Sequence, residues 1–135
     1  MKPDGVAPNG KAYRIALCDD KKFDVSDWKL FLGSRGFYVQ SFENALELVA
    51  AVRKLPGDFD LIVLDLVMPV LDGYAAFFEM KASGRMPKVM FVSVENTPTV
   101  VRSLIEAGAA DYLARPFTKD VLLERIKKVL ARPST

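Results

Sequence analysis

Short apolar runs alternate along this chain with longer stretches in which apolar residues recur every three or four positions. The short runs are Arg14-Ile15-Ala16-Leu17-Cys18, Phe37-Tyr38-Val39-Gln40-Ser41, Leu61-Ile62-Val63-Leu64, Lys88-Val89-Met90-Phe91-Val92-Ser93 and Ala110-Asp111-Tyr112-Leu113-Ala114. Their length and β-branched content predict strands, buried on both faces where the run is unbroken. The stretches between them predict helices. Val25, Trp28 and Leu32 mark the first, over residues 21–35, with Gly36 as its stop. Leu46, Val49 and Ala50 mark the second, which ends before Pro56-Gly57. The third follows the N-cap signal Asp72-Gly73, turns Tyr74, Phe77 and Phe78 inward, and stops near Gly84. Thr97-Pro98 opens the fourth, whose core stripe is Val101, Leu104 and Ile105 before Gly108. Thr118 caps the fifth, with Leu122, Ile126, Val129 and Leu130 inward. Strands alternating with helices predict a doubly wound α/β domain, a five-stranded parallel sheet between two helical layers. The domain spans residues 13–131; the Pro- and Gly-rich residues 1–12 predict a disordered tail, and residues 132–135 a short C-terminal one.

Composition narrows the chemistry. Nineteen Lys and Arg against seventeen Asp and Glu leave +2, too balanced a charge to argue for nucleic acid. No apolar run approaches the ~20 residues of a membrane span, and the first residues lack the apolar segment of a signal peptide, so a cytoplasmic setting is expected. A single cysteine, Cys18, excludes an internal disulfide and reads as a small buried hydrophobe. There is no histidine. That removes Ser-His and Cys-His nucleophiles and argues against zinc, leaving carboxylates, hydroxyls, Lys, Arg, or a hard ion held by oxygen.

In a parallel βα sheet every strand ends on the same edge, where such folds bind their ligands. That edge collects Asp19 and Asp20 after the first strand, Asp65 after the third, Ser93 after the fourth and Arg115 after the fifth. Three crowded carboxylates resist ionising together unless a cation joins them, and Mg²⁺ with carboxylates, a carbonyl and waters meets that need. A hydroxyl and a guanidinium beside such an ion make a receptor for a tetrahedral oxyanion, with Asp65 placed to be its nucleophile.

The acidic pair, Asp65 with Met68-Pro69 and Asp72-Gly73, Ser93, and the segment Asp-Tyr-Leu-Ala-Arg-Pro-Phe together resemble the receiver domain of bacterial two-component response regulators, most nearly its stand-alone, chemotaxis-type members. The resemblance implies the flavodoxin-like strand order 2-1-3-4-5. It implies that Asp65 takes a phosphoryl group from a phosphohistidine on a sensor histidine kinase or phosphotransfer protein. It also implies that Asp20, Asp65 and the main-chain carbonyl of Val67 hold Mg²⁺, with Asp19 acting through water. Ser93 would move toward the phosphoryl group and Tyr112 would swing inward with it. That motion would signal to a downstream protein through the fourth helix, fifth strand and fifth helix of a monomer that is not a classical enzyme. A cis bond before Pro116 is expected on the same ground. Two positions depart from the family pattern: Arg115 stands where Lys is usual, and Val94 where a small residue is usual. An interaction module of the same fold, with partner contacts independent of Asp65, is the alternative; a flavin protein is disfavoured, since Asp19-Asp20 would repel its phosphate. Arg115 is expected to offset phosphoryl charge, or to pair with Asp65 or Asp19 beforehand and depress that carboxyl's pKa. Trp28 is expected to lie too far along the first helix to report metal.

Overall fold

The computed structural model describes residues 3–84 and 86–133. Its strands are β1 (Arg14–Cys18), β2 (Tyr38–Phe42), β3 (Leu61–Asp65), β4 (Lys88–Ser93) and β5 (Asp111–Ala114). Each is followed by a helix: α1 (Lys22–Ser34), α2 (Ala45–Lys54), α3 (Gly73–Ala82), α4 (Pro98–Glu106) and α5 (Lys119–Ala131). All pairings are parallel, in the order β2-β1-β3-β4-β5. The expected fold class and strand order hold.

Successive side chains on a strand point to opposite faces, and the two cores divide accordingly. Ala16, Cys18, Ile62, Leu64, Val89 and Phe91 lie in the core that also holds buried residues of α2, α3 and α4. Ile15, Leu17, Leu61, Val63, Met90 and Val92 lie in the core shared with α1 and α5. Every residue of β3 is buried, as a central strand covered on both sides requires.

Three helical stripes differ from expectation. Asn44 caps α2 by accepting the Glu47 N–H, and the buried face is Ala45, Leu48, Val49 and Val52; Leu46 and Ala50 face solvent. On α3 the inward line is Gly73, Ala76, Phe77 and Met80, while Tyr74 is exposed and packs on half-buried Phe78 with ring centroids 4.9 Å apart. On α4 only Leu104 is fully buried and Ile105 is exposed. The α4 cap also differs: Glu95 Oε1, not the Thr97 hydroxyl, meets the first turn by accepting the Thr97 N–H.

Residues 3–12 are not a loose tail. Val6 and Ala12 form an antiparallel bridge, Gly5 N–H donates to Arg35 O at 2.9 Å, and Tyr13 N–H donates to Gly5 O at 2.7 Å. Gly5 is buried against the turn before β2, where a Cβ would sit 2.2 Å from Phe37 N. At the other terminus Arg132 is tied back by the Lys88 ammonium on its carbonyl. Residues 1, 2, 134 and 135 lie outside the described residues.

Candidate functional site

The strand registers assemble the site. Cys18 pairs with Leu64, so Asp19 and Asp65 come next on adjacent strands. Asp65 in turn pairs with Val92, one residue before Ser93, and Ser93 pairs with Ala114, one residue before Arg115. The Arg115 N–H donates to Ser93 O at 2.8 Å, and the Arg115-Pro116 bond is cis, as expected. Past β3, the chain turns through Val70 with φ 75°, a left-handed backbone that a β-branched residue rarely adopts. It returns to the strand end at Gly73, whose N–H donates to Leu66 O and where a Cβ would lie 2.1 Å from Asp65 O. Asp72 caps α3 by accepting the Ala75 N–H at 2.8 Å.

Asp19, Asp65 and Ser93 are the buried polar side chains among the described residues. One carboxylate oxygen each from Asp19, Asp20 and Asp65 lie within 4.8 Å of one another. Asp20 does not cap α1; the N-cap residue is Lys21, whose N–H donates to Asp19 Oδ1 at 2.9 Å. Asp65 accepts the Val67 N–H on Oδ1 at 3.3 Å and the Lys21 ammonium on Oδ2 at 2.8 Å. The same ammonium lies 3.4 Å from Asp20 Oδ1 and 3.7 Å from Asp19 Oδ1. Burial works against the Lys21 charge, but its hydrogen bond to Asp65 and the charge of Asp19 prevail and raise its pKa. Burial likewise pushes the Asp19 carboxyl above its usual range, against the Lys21 N–H and the Arg115 charge. Burial and the surrounding carboxylates push the Cys18 thiol up to about 12, so it stays protonated and unreactive.

Arg115 is at this edge but faces away from the acceptor. Its guanidinium donates to Asp19 and, at 2.8 Å, to Asp24 on α1, and lies 5.0 Å from the centroid of the Trp28 ring. The expected pairing with Asp19 is present and that with Asp65 is not; Asp19 is raised rather than depressed because burial outweighs the guanidinium. Trp28, expected to be remote, is joined to Asp19 through Arg115 and stacks on Phe117 with centroids 5.5 Å apart.

Ser93 Oγ accepts the Glu95 N–H at 3.1 Å, and the Tyr112 hydroxyl donates to the Glu95 carbonyl. Both side chains grip one residue of the β4–α4 loop, and the Tyr112 ring is buried. Val94 is exposed beside them. Lys21 and Asp24 were not among the expected site residues. Lys21 did carry a signal, a cation directly after the acidic pair, whereas the Asp24 pairing depends on which way residue 115 turns.

This arrangement suits a hard divalent ion. The donors are carboxylate oxygens within one ion's reach, and a cation, the Lys21 ammonium, already stands among them.

Comparison with known proteins places the chain in a family. Residues 15–127 match the model of the response regulator receiver domain. The chain is 32% identical to the chemotaxis protein CheY of Treponema pallidum over 132 residues, covering 95% of this chain and 90% of that one. It is also 32% identical to the CheY of Bacillus subtilis, covering 88% and 98% of the two chains. Among solved structures, the CheX–CheY–BeF3–Mg²⁺ complex from Borrelia burgdorferi contains a chain of the same fold, with TM-score 0.90 and 22% identity over 98% of this chain and all of that one.

Proposed function

Because the chain belongs to the response regulator receiver domain family, we propose that it works as a phosphorylation switch whose acceptor is Asp65. As a response regulator it is a signalling phosphoacceptor rather than a classical enzyme. The observation that supports this reading best is the buried Asp65 carboxylate at the end of the central strand, within one ion's reach of Asp19 and Asp20. Asp65 would attack the phosphorus of a phosphohistidine on a sensor kinase or phosphotransfer protein. The new bond is an acyl phosphate, the P–N bond breaks, and its electron pair stays on the donor imidazole. These 135 residues contain no histidine, so the donor imidazole lies outside them.

Asp20, Asp65 and the Val67 carbonyl would hold Mg²⁺, with Asp19 acting through water. Mg²⁺ supplies charge that offsets the repulsion between an anionic nucleophile and an anionic phosphoryl group. Asp72 and Gly73 hold the strand end and the start of α3 in register, and so position the acceptor. Ser93 would turn its hydroxyl from the Glu95 N–H to a phosphoryl oxygen, while Tyr112 keeps its bond to the Glu95 carbonyl. The loop before α4 would then settle in a second position, and a downstream protein would read the face made by α4, β5 and α5. Among the described residues no helix is long and apolar enough to cross a membrane. The proposed switch is a cytoplasmic monomer working between two protein partners.

The test is incubation with Mg²⁺ and acetyl phosphate followed by intact mass. Wild type is expected to gain one phosphoryl group, labile to hydroxylamine, and Asp65→Asn none. An Asp65→Asn protein that still binds its partner as wild type does, with and without phosphodonor, would instead favour the interaction module.

A further inference from the structure

Two cations stand near the acceptor, and their surroundings assign them different work. The Arg115 side chain is 11% exposed, ion-paired to both Asp19 and Asp24, and laid over Trp28; its buried Nε has no hydrogen-bond partner among the described residues. To meet Asp65 it would have to break two ion pairs and leave an aromatic face. Lys21, the N-cap residue of α1, is 45% exposed and points its ammonium at Asp65, Asp20 and Asp19. A Lys ammonium is a compact point charge that can turn outward at little cost, unlike a guanidinium fixed by its fork.

We propose that Lys21, not Arg115, is the counter-ion of the acceptor site: its ammonium stands in for the divalent cation among the three carboxylates and is displaced when that cation enters. Arg115 is then a brace, tying β5 to α1 through Asp24 and Trp28. This inference rests on the metal-dependent phosphoacceptor reading. It adds a competitor built into the chain, which keeps the carboxylates neutralised without metal and weakens metal binding by the free energy of its own pairs. Displacement gives the ammonium a second station: it swings toward solvent, where an incoming phosphoryl group would meet it.

The experiment is an amide-resolved titration with Mg²⁺ alone, on the full chain, comparing wild type, Lys21→Met and Lys22→Met. Lys22 carries the same charge one residue on, but among the described residues its ammonium reaches only Glu43, at 4.0 Å. Lys21→Met is expected to bind Mg²⁺ roughly three- to tenfold more tightly, the scale of one partly buried ion pair. Lys22→Met should stay within about twofold of wild type, since it removes only a distant, screened charge. In wild type the Lys21 side-chain Nζ signal should move along the same isotherm as the Asp20 and Asp65 amides. Equal affinities for wild type and Lys21→Met, or the same gain in Lys22→Met, overturn the proposal while leaving the metal site standing. No Mg²⁺ response in any of the three proteins overturns the metal reading itself, and this inference with it.

Discussion

The two edges of the sheet are built from the same kinds of residue and treat charge in opposite ways. At the edge where the strands begin, several charged side chains meet complementary partners. Asp60 accepts the Arg14 N–H, Arg14 Nε donates to Asp58 O, the Lys88 ammonium donates to carbonyls closing α5, and Arg125 forks onto Asp111. At the edge where the strands end, like charges are gathered: three carboxylates share two cations, one guanidinium nitrogen is buried without a partner among the described residues, and the turn after β3 is left-handed at a valine. A charge cluster and a strained turn persist only when the surrounding fold over-determines them. The first edge therefore closes the fold, and the second carries the charge and strain that the proposed divalent ion would relieve.

The largest expected effect breaks the second edge directly. Gly73→Ala places a Cβ 2.1 Å from Asp65 O and 2.9 Å from Leu66 Cα, contacts to backbone that no side-chain rotation relieves. The loss should be about 1–3 kcal/mol in chemical denaturation, the scale of forced overpacking, and the Asp65 amide should shift. Gly57→Ala is the comparison: a Cβ there meets nothing within 4 Å, and its stability should stay within ~0.5 kcal/mol of wild type. Equal effects of the two would mean that α3 does not press on the acceptor strand.

A smaller change should relax the same edge. Val70 is 81% exposed, so little packing is lost by replacing it, while its φ of 75° is costly for a β-branched residue. Val70→Asn is expected to stabilise the protein by about 1 kcal/mol, because Asn tolerates the left-handed region. Val94→Asn, also exposed but without such a φ, should be nearly neutral. Thermal unfolding of the two variants distinguishes strain in the turn from a general benefit of removing surface valine.

Much of this was legible in the sequence, because strand runs, glycine stops and the Asp72 and Thr118 caps each state a local preference that the fold does not overrule. Asp19, Asp65 and Ser93 could be brought together from topology alone, since consecutive registers place them one residue past paired positions. What the pattern missed was rotational. Each residue turns the stripe by about 100°, and on the inward faces Leu48 and Val52 stand in place of Leu46 and Ala50, while Ala76 and Met80 join Phe77 in place of Tyr74. It also missed the direction of long side chains. Nothing local to Arg115 says whether it reaches for Asp65 or for Asp24, because that choice depends on Trp28 and Asp24 on a helix some ninety residues earlier, at a separation of 91 for the Asp24 pair. The bonds of Gly5 to Arg35 and Tyr13 were hidden for the same reason: a Pro- and Gly-rich segment looks disordered until its acceptor across the fold is known.

The smallest effect sharpens the description of the first edge. Arg125 donates from Nε to Asp111 Oδ2 at 2.7 Å and from a terminal nitrogen to Oδ1 at 2.9 Å, a two-point pair at the start of β5. Burial alone would raise the Asp111 pKa, but the Arg125 hydrogen bonds and the Tyr112 N–H outweigh it and hold the carboxyl below its usual range. A folded-state pKa below the unfolded one means that the unfolded chain binds the proton more readily. The pair's contribution is therefore complete above the unfolded Asp value of about 3.9 and drains away as pH falls below it toward the folded value. Arg125 is 36% exposed, so solvent screening limits the pair to ~0.5–1 kcal/mol at neutral pH. Arg125→Met should lose that amount at pH 7 and progressively less on acidification, until the two unfolding curves meet once Asp111 is protonated in both proteins. A difference that stays constant across the acid range would assign the loss to the packing of the Arg125 stem, and the first edge would then be held by shape rather than by charge.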